Sequence, residues 1–178
     1  MTDLISQATD IAICPMLLQF RGEGGPGRED RVMHVHGSCH CGRVAYEADV
    51  SPEHVVVCHC TDCQALSGTA FRVVVATAPG SFRLVRGELK IYIKTGTSGN
   101  PREQAFCGEC GSPIYSAPPG PQPKVVSSRA GTLTQRAQLI PSHQFWCRSS
   151  LPWLPQLSLV NKFSTQPEFD KNGGFVPD

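Results

Sequence analysis

Seven cysteines fall in three tight clusters: Cys39-His40-Cys41, Cys58-His59-Cys60-Thr61-Asp62-Cys63 and Cys107-Gly108-Glu109-Cys110. The chain holds 9 cysteines in all, so Cys14 and Cys147 stand apart as ordinary apolar thiols. Residues 1–20 contain no Lys or Arg, and Pro15 splits their apolar stretch, so no signal peptide is expected. Clustered cysteines in a chain without an export signal point to metal rather than disulfides, and to a cytoplasmic protein. A zinc ion takes four ligands in a tetrahedron, with sulfur at ~2.3 Å. In extended chain, residues i and i+2 share a face, so Cys39 with Cys41, and Cys58 with Cys60, can each offer two sulfurs to one ion. Cys60/Cys63 and Cys107/Cys110 need tight turns, which Gly42, Gly108 and Gly111 suit.

Seven thiolates cannot fill two four-sulfur sites. One closed site and one three-sulfur site with an open position is the simplest division. The triple Cys58, Cys60 and Cys63 is the natural open site, leaving Cys39, Cys41, Cys107 and Cys110 for the closed one. A ribbon-like site from Cys60, Cys63, Cys107 and Cys110 is the alternative, and spacing alone leaves both standing. Closed sites hold folds together, whereas open ones bind exchangeable ligands.

The rest of the chain limits the setting. Its 178 residues suit one domain, and 40% hydrophobic content with 17% charge excludes a disordered chain. The longest apolar runs, such as Val55 to Cys58, fall far short of the ~20 residues that span a bilayer, so no membrane partner is expected. A net charge of +1 leaves no basic footprint for nucleic acid. Residues 1–32, with Glu23-Gly24-Gly25-Pro26-Gly27, read as a poorly structured extension. The folded domain is expected over 33–165, with a tail over 166–178.

Within the domain the pattern is mainly β. Val44, Tyr46 and Ala48 alternate with Arg43, Ala45 and Glu47, and Val55–Val57 and Phe71–Ala76 are β-branched or aromatic runs. Leu89, Ile91 and Ile93 alternate with Lys90, Tyr92 and Lys94, which predicts a two-faced strand with its lysines toward solvent. Helical periodicity is confined to about one turn at Asp62 to Leu66. Short strands with metal-clamped corners follow.

Three segments carry a resemblance to a known family: His36-Gly37-Ser38-Cys39-His40-Cys41-Gly42-Arg43-Val44-Ala45-Tyr46-Glu47, Cys58-His59-Cys60-Thr61-Asp62-Cys63-Gln64, and Phe106-Cys107-Gly108-Glu109-Cys110-Gly111-Ser112. With Pro141-Ser142-His143-Gln144-Phe145-Trp146 and Trp153, they resemble the glutathione-dependent formaldehyde-activating enzymes, whose motifs centromere protein V shares. The resemblance covers about residues 33 to 165; the family pattern usually lacks the N-terminal extension. It implies a single-domain, zinc-clamped β-tent fold holding two zinc ions. Cys39, Cys41, Cys107 and Cys110 then match the structural site, and Cys58, Cys60 and Cys63 the catalytic one. It further implies carbon–sulfur lyase or synthase chemistry on a thiol–aldehyde adduct such as S-hydroxymethylglutathione, with glutathione and formaldehyde as partners. The alternative is a non-catalytic zinc-stabilised glutathione carrier or protein-binding module, with Pro118-Pro119-Gly120-Pro121-Gln122-Pro123 as an exposed loop.

Other residues read as support. Asp62 is expected to cap the turn containing Cys63. His40 and His59 should point away from the metal, and His143 should be a hydrogen-bonded structural histidine. Between Gln64 and Phe106, Arg72, Arg83, Arg86, Lys90, Lys94 and Arg102 outnumber Glu88 and Glu103, a balance that suits glutathione's carboxylates. A solvated strand face explains the lysines equally well.

Overall fold

One long strand organises the architecture. In the computed structural model, which describes residues 31–96, 99–121 and 123–176, strand β2 runs over Ala45–Cys58. Residues 1–30, with Cys14 and most of the expected extension, lie outside the described residues, as does Gln122 of the proline-rich loop. The other elements are β1 (Met33–Ser38), α1 (Thr61–Ser67), β3 (Arg72–Thr77), β4 (Arg83–Arg86), β5 (Leu89–Thr95), β6 (Pro101–Cys107), β7 (Pro113–Ala117), β8 (Ser127–Arg129) and β9 (His143–Phe145). They form one sheet in the order β1-β2-β3-β8-β7-β6-β5, with β4 and β9 also paired to β2. All pairings are antiparallel except β2–β9. The expected mainly β, single-domain fold is what the chain adopts.

Period-two alternation gives β2 its inward face. Tyr46, Ala48, Val50 and Val55 are buried there, against Val35 of β1, Val75 of β3 and Ile114 of β7. The β2–β3 register shifts between Val50 and Val55. Pro52 lies in that interval and has no N–H to give a ladder. The Tyr46 hydroxyl bonds to Thr132 Oγ1 at 2.7 Å, so this core phenol is not left unpaired.

Strand β5 departs from its predicted two-faced form. Ile91 and Ile93 are 45% and 49% exposed, while the Lys94 side chain is only 18% exposed. The cause is position: among the described residues β5 ends the sheet with β6 as its one paired strand, and no other element packs extensively against it. Lys94 turns inward to pair with Asp62 of α1. The proline-rich loop joins β7 to β8, and Lys124 Nζ fastens it through Pro118 O at 3.1 Å and Gly120 O at 3.0 Å.

Candidate metal centres

Two turns from opposite parts of the sheet build the first cluster. Cys39 and Cys41 lie in the β1–β2 turn, and Cys107 and Cys110 in the β6–β7 turn. Each turn closes with a backbone bond, Gly42 N–H to Cys39 O at 3.1 Å and Gly111 N–H to Cys107 O at 2.9 Å. Gly42 and Gly111 hold φ of 75° and 72°, a region that side-chain-bearing residues rarely enter. Gly108 does not use that freedom; a Cβ there would crowd the Lys90 side chain. The Cys39–Cys41 convergence comes from the turn rather than from strand pleating. His40 N–H donates to Ser112 Oγ at 3.0 Å, tying the two turns together.

The four sulfurs lie within 4.8 Å of one another. Cys39 Sγ is 3.5 Å from Cys41 Sγ, and Cys41 Sγ is 3.9 Å from Cys107 Sγ. A tetrahedron with metal–sulfur bonds of ~2.3 Å has edges of about 3.8 Å, so these spacings already suit a zinc-sized ion. The Val44 N–H reaches Cys39 Sγ at 3.2 Å, and the Ser112 hydroxyl lies 3.2 Å from Cys110 Sγ. That hydroxyl chiefly pushes the exposed Cys110 thiol down to about 5, while hydrogen bonds with Cys39, Cys110 and Cys107 help to push Cys41 up to about 11, as close thiols that share protons do.

The second cluster forms where β2 passes into α1. Cys58 ends the strand, Cys60 caps the helix and Cys63 lies in its first turn. Their sulfurs also lie within 4.8 Å of one another, and all three residues are half-buried. Cys60 Sγ accepts the Cys63 N–H at 3.3 Å, so a cysteine of the triple also serves as helix cap. The cap expected of Asp62 is therefore made by Cys60, and Asp62 pairs with Lys94 instead. The hydrogen bond with Cys63 pushes the Cys58 thiol down to about 5 against burial, which resists ionisation, while the same contact drives Cys63 up. One proton shared between two close thiols has this effect.

Neighbours fix the segment. His59 is buried with its backbone N–H on Phe145 O at 2.9 Å and Nε2 2.8 Å from Gln144 Oε1, so its ring is directed to β9. Gln64 Nε2 donates to His59 O and Ser149 O, both at 2.8 Å. His143 is exposed and bonded to Ser142 Oγ at 2.8 Å. His40 is exposed, and Cys147, with Sγ 3.8 Å from Gln144 O, joins neither cluster. The ribbon-like grouping of Cys60, Cys63, Cys107 and Cys110 is not among the close sulfur groups of the described residues. Another group, His34, His36 and Glu47, lies on the β1–β2 surface, where Asp49 already engages His34 at 2.7 Å.

Two buried arginines flank the triple. Arg72 and Arg129 are each 6% exposed. Burial pushes the Arg72 guanidinium down, opposed by the nearby Cys63, Cys60 and Cys58. Burial, with Arg72 as a second cation beside it, pushes Arg129 down to about 9. A cavity of about 400 Å³ is lined by Arg72, Gln104, Leu66, Tyr92 and Tyr115. A larger one, about 620 Å³, lies beside Cys41 and Cys107 between Arg43, Arg86 and Lys90. Arg129, Gln64 and Gln144 were absent from the predicted site. No local pattern marks Arg129 as part of a site, because its relation to Arg72 depends on the pairing of β3 with β8.

A β-sheet whose turns bring four cysteines together, with a separate triple at the one α-helix of the described residues, defines a protein with two cysteine groups that could each hold a metal ion. Residues 34–149 match the family model described as glutathione-dependent formaldehyde-activating enzyme, and the chain belongs to that family. A crystal structure of a Rhodobacter sphaeroides protein is similar to it at 22% identity, with a TM-score of 0.48, covering 61% of this chain and 98% of that chain. Comparison with curated proteins gives no match.

Proposed function

We propose that the protein is a zinc-dependent carbon–sulfur lyase or synthase acting on a thiol–aldehyde adduct such as S-hydroxymethylglutathione. The observation that carries this reading is the division of seven sulfurs into a closed group of four and a group of three. Cys39, Cys41, Cys107 and Cys110 would hold a structural ion, and Cys58, Cys60 and Cys63 a catalytic one. Zinc bound by the triple supplies a position at which a thiol is held as thiolate.

The chain's own residues prepare that position. Cys60 and Cys63 are fixed by the helix cap, and Gln64 braces the turn from both sides. Arg72 places positive charge beside the sulfurs, which favours their anionic forms. Overall, the glutathione sulfur bonds to the formaldehyde carbon, and the carbonyl oxygen takes up the proton that the thiol gives up. No oxidant is needed, in keeping with a metal that has no redox chemistry. Thiolate ligands and free cysteines suit a reducing compartment such as the cytoplasm. Among the described residues, no helix is long and apolar enough to cross a membrane.

Exchange between glutathione, formaldehyde and their adduct, followed by NMR, tests the reading. Acceleration by catalytic amounts of zinc-loaded protein, lost in Cys60→Ser, is expected. Tight adduct binding with no acceleration would make the protein a carrier and overturn the lyase reading.

A further inference from the structure

Arg72 and Arg129 are built into the sheet in a way that structural packing does not account for. Arg72 is the direct cross-strand partner of Cys58, and facing residues of adjacent strands project to the same side. Arg129 pairs with Val74, two residues beyond Arg72, so it stands on that same side one strand further on. A line of Cys58, Arg72 and Arg129 thus crosses β2, β3 and β8. Arg129 Nη2 donates to Gln104 Oε1 at 2.8 Å. Arg72 Nη2 and Arg129 Nε are buried without any hydrogen-bond partner. Among the described residues neither guanidinium forms an ion pair with a carboxylate, whereas Arg83, Lys94 and Lys124 each do.

A buried cation normally has a charged partner, because isolating it from water is costly. The thiolates of the triple answer part of the charge but not the directed N–H groups. A planar guanidinium has the geometry for a carboxylate, which it can grip with two parallel bonds. Room exists, since Arg72 and Gln104 line the cavity of about 400 Å³ whose Leu66 belongs to the same helix as Cys63.

We propose that Arg72 and Arg129 form a buried anion subsite beside the three-cysteine cluster, which receives a carboxylate of the thiol substrate. The inference rests on the reading of that cluster as a thiol site, and it selects acidic thiols over neutral ones.

Calorimetric titration of the full-length, zinc-loaded protein tests it with three probes. Glutathione carries thiol and carboxylates, its diethyl ester keeps only the thiol, and S-methylglutathione keeps only the carboxylates. Glutathione is expected to bind at least about tenfold tighter than the diester, the scale of a charge-assisted pair. Arg72→Gln should erase that preference. Should that variant not fold, Gln104→Glu adds a competing carboxylate at Arg129 and should erase the preference in a side chain of nearly equal shape. Equal binding of glutathione and diester by the native protein overturns the subsite while leaving the thiol site intact. So does an equal loss of both ligands in Arg72→Gln, which would mean that the arginine serves only the sulfur charge. Binding of S-methylglutathione as tight as glutathione, and sensitive to Arg72→Gln, supports the subsite but overturns the thiol reading. Absence of binding by all three overturns both.

Discussion

Gly37 has no room for a side chain. A Cβ at this β1 position would overlap the ring of Tyr46, its direct cross-strand partner, and that ring is pinned by Thr132 and the stacked Phe82. Gly37→Ala is therefore expected to destabilise the fold by about 1–3 kcal/mol, the usual cost of overfilling a packed core. Urea unfolding with an unchanged m-value would show it. Gln64 offers a prediction nearer the chemistry. Its amide holds the carbonyls of His59 and Ser149, so Gln64→Ala removes both bonds. A loss of about 1–2 kcal/mol is expected from the two abandoned acceptors. Zinc should also leave the triple at lower chelator concentration than in the native protein, while the four-cysteine group keeps its ion. Equal retention by both centres would show that Gln64 braces the backbone without positioning the ligands.

At the scale of elements, the two clusters constrain different lengths of chain. Cys41 and Cys107 are 66 positions apart, and their turns meet although β2 and β6 are separated in the sheet by β3, β8 and β7. The triple lies within one strand–helix junction. Linking distant segments restricts the unfolded chain more than tightening a local turn. Cys107→Ser should therefore abolish cooperative folding or lower the melting temperature steeply. Cys60→Ser should melt closer to the native protein while holding only one zinc. Melts paired with zinc counts check this, and equal destabilisation would mean that the assignments are wrong or the centres coupled. Such junctions were legible because cysteine spacing is local: Cys58, Cys60 and Cys63 need only one turn to meet. Strand β5 was misread because alternation reports two faces but not whether anything covers them. Arg129 was illegible because its relation to Arg72 depends on β3 pairing β8, a long-range register that no nearby residue encodes.

For the molecule as a whole, the proposed structural ion is expected to join folding and metal binding in one equilibrium. Cysteines at the β1–β2 and β6–β7 turns close a sheet whose hydrogen-bonded path between them runs through β3, β8 and β7. Without an ion, the two turns are joined by hydrogen bonds such as His40 N–H to Ser112 Oγ and the Cys41–Cys107 thiol contact, a neutral bond of this kind being worth about 1 kcal/mol. With the ion, stability rises with free metal as RT ln(1 + [L]/Kd), or about 2.7 kcal/mol at a hundredfold excess over Kd. The triple should respond differently, because its helix, cap and Gln64 contacts are already made by protein groups. Stepwise chelation should remove about one equivalent of zinc with the near-ultraviolet signal of the core almost unchanged. Removal of the second should coincide with cooperative loss of that signal and of the sheet's far-ultraviolet band. If both equivalents leave together and the sheet survives, the four-cysteine group does not hold the fold, and closure must come from the buried face around Tyr46, Ile114 and Leu133.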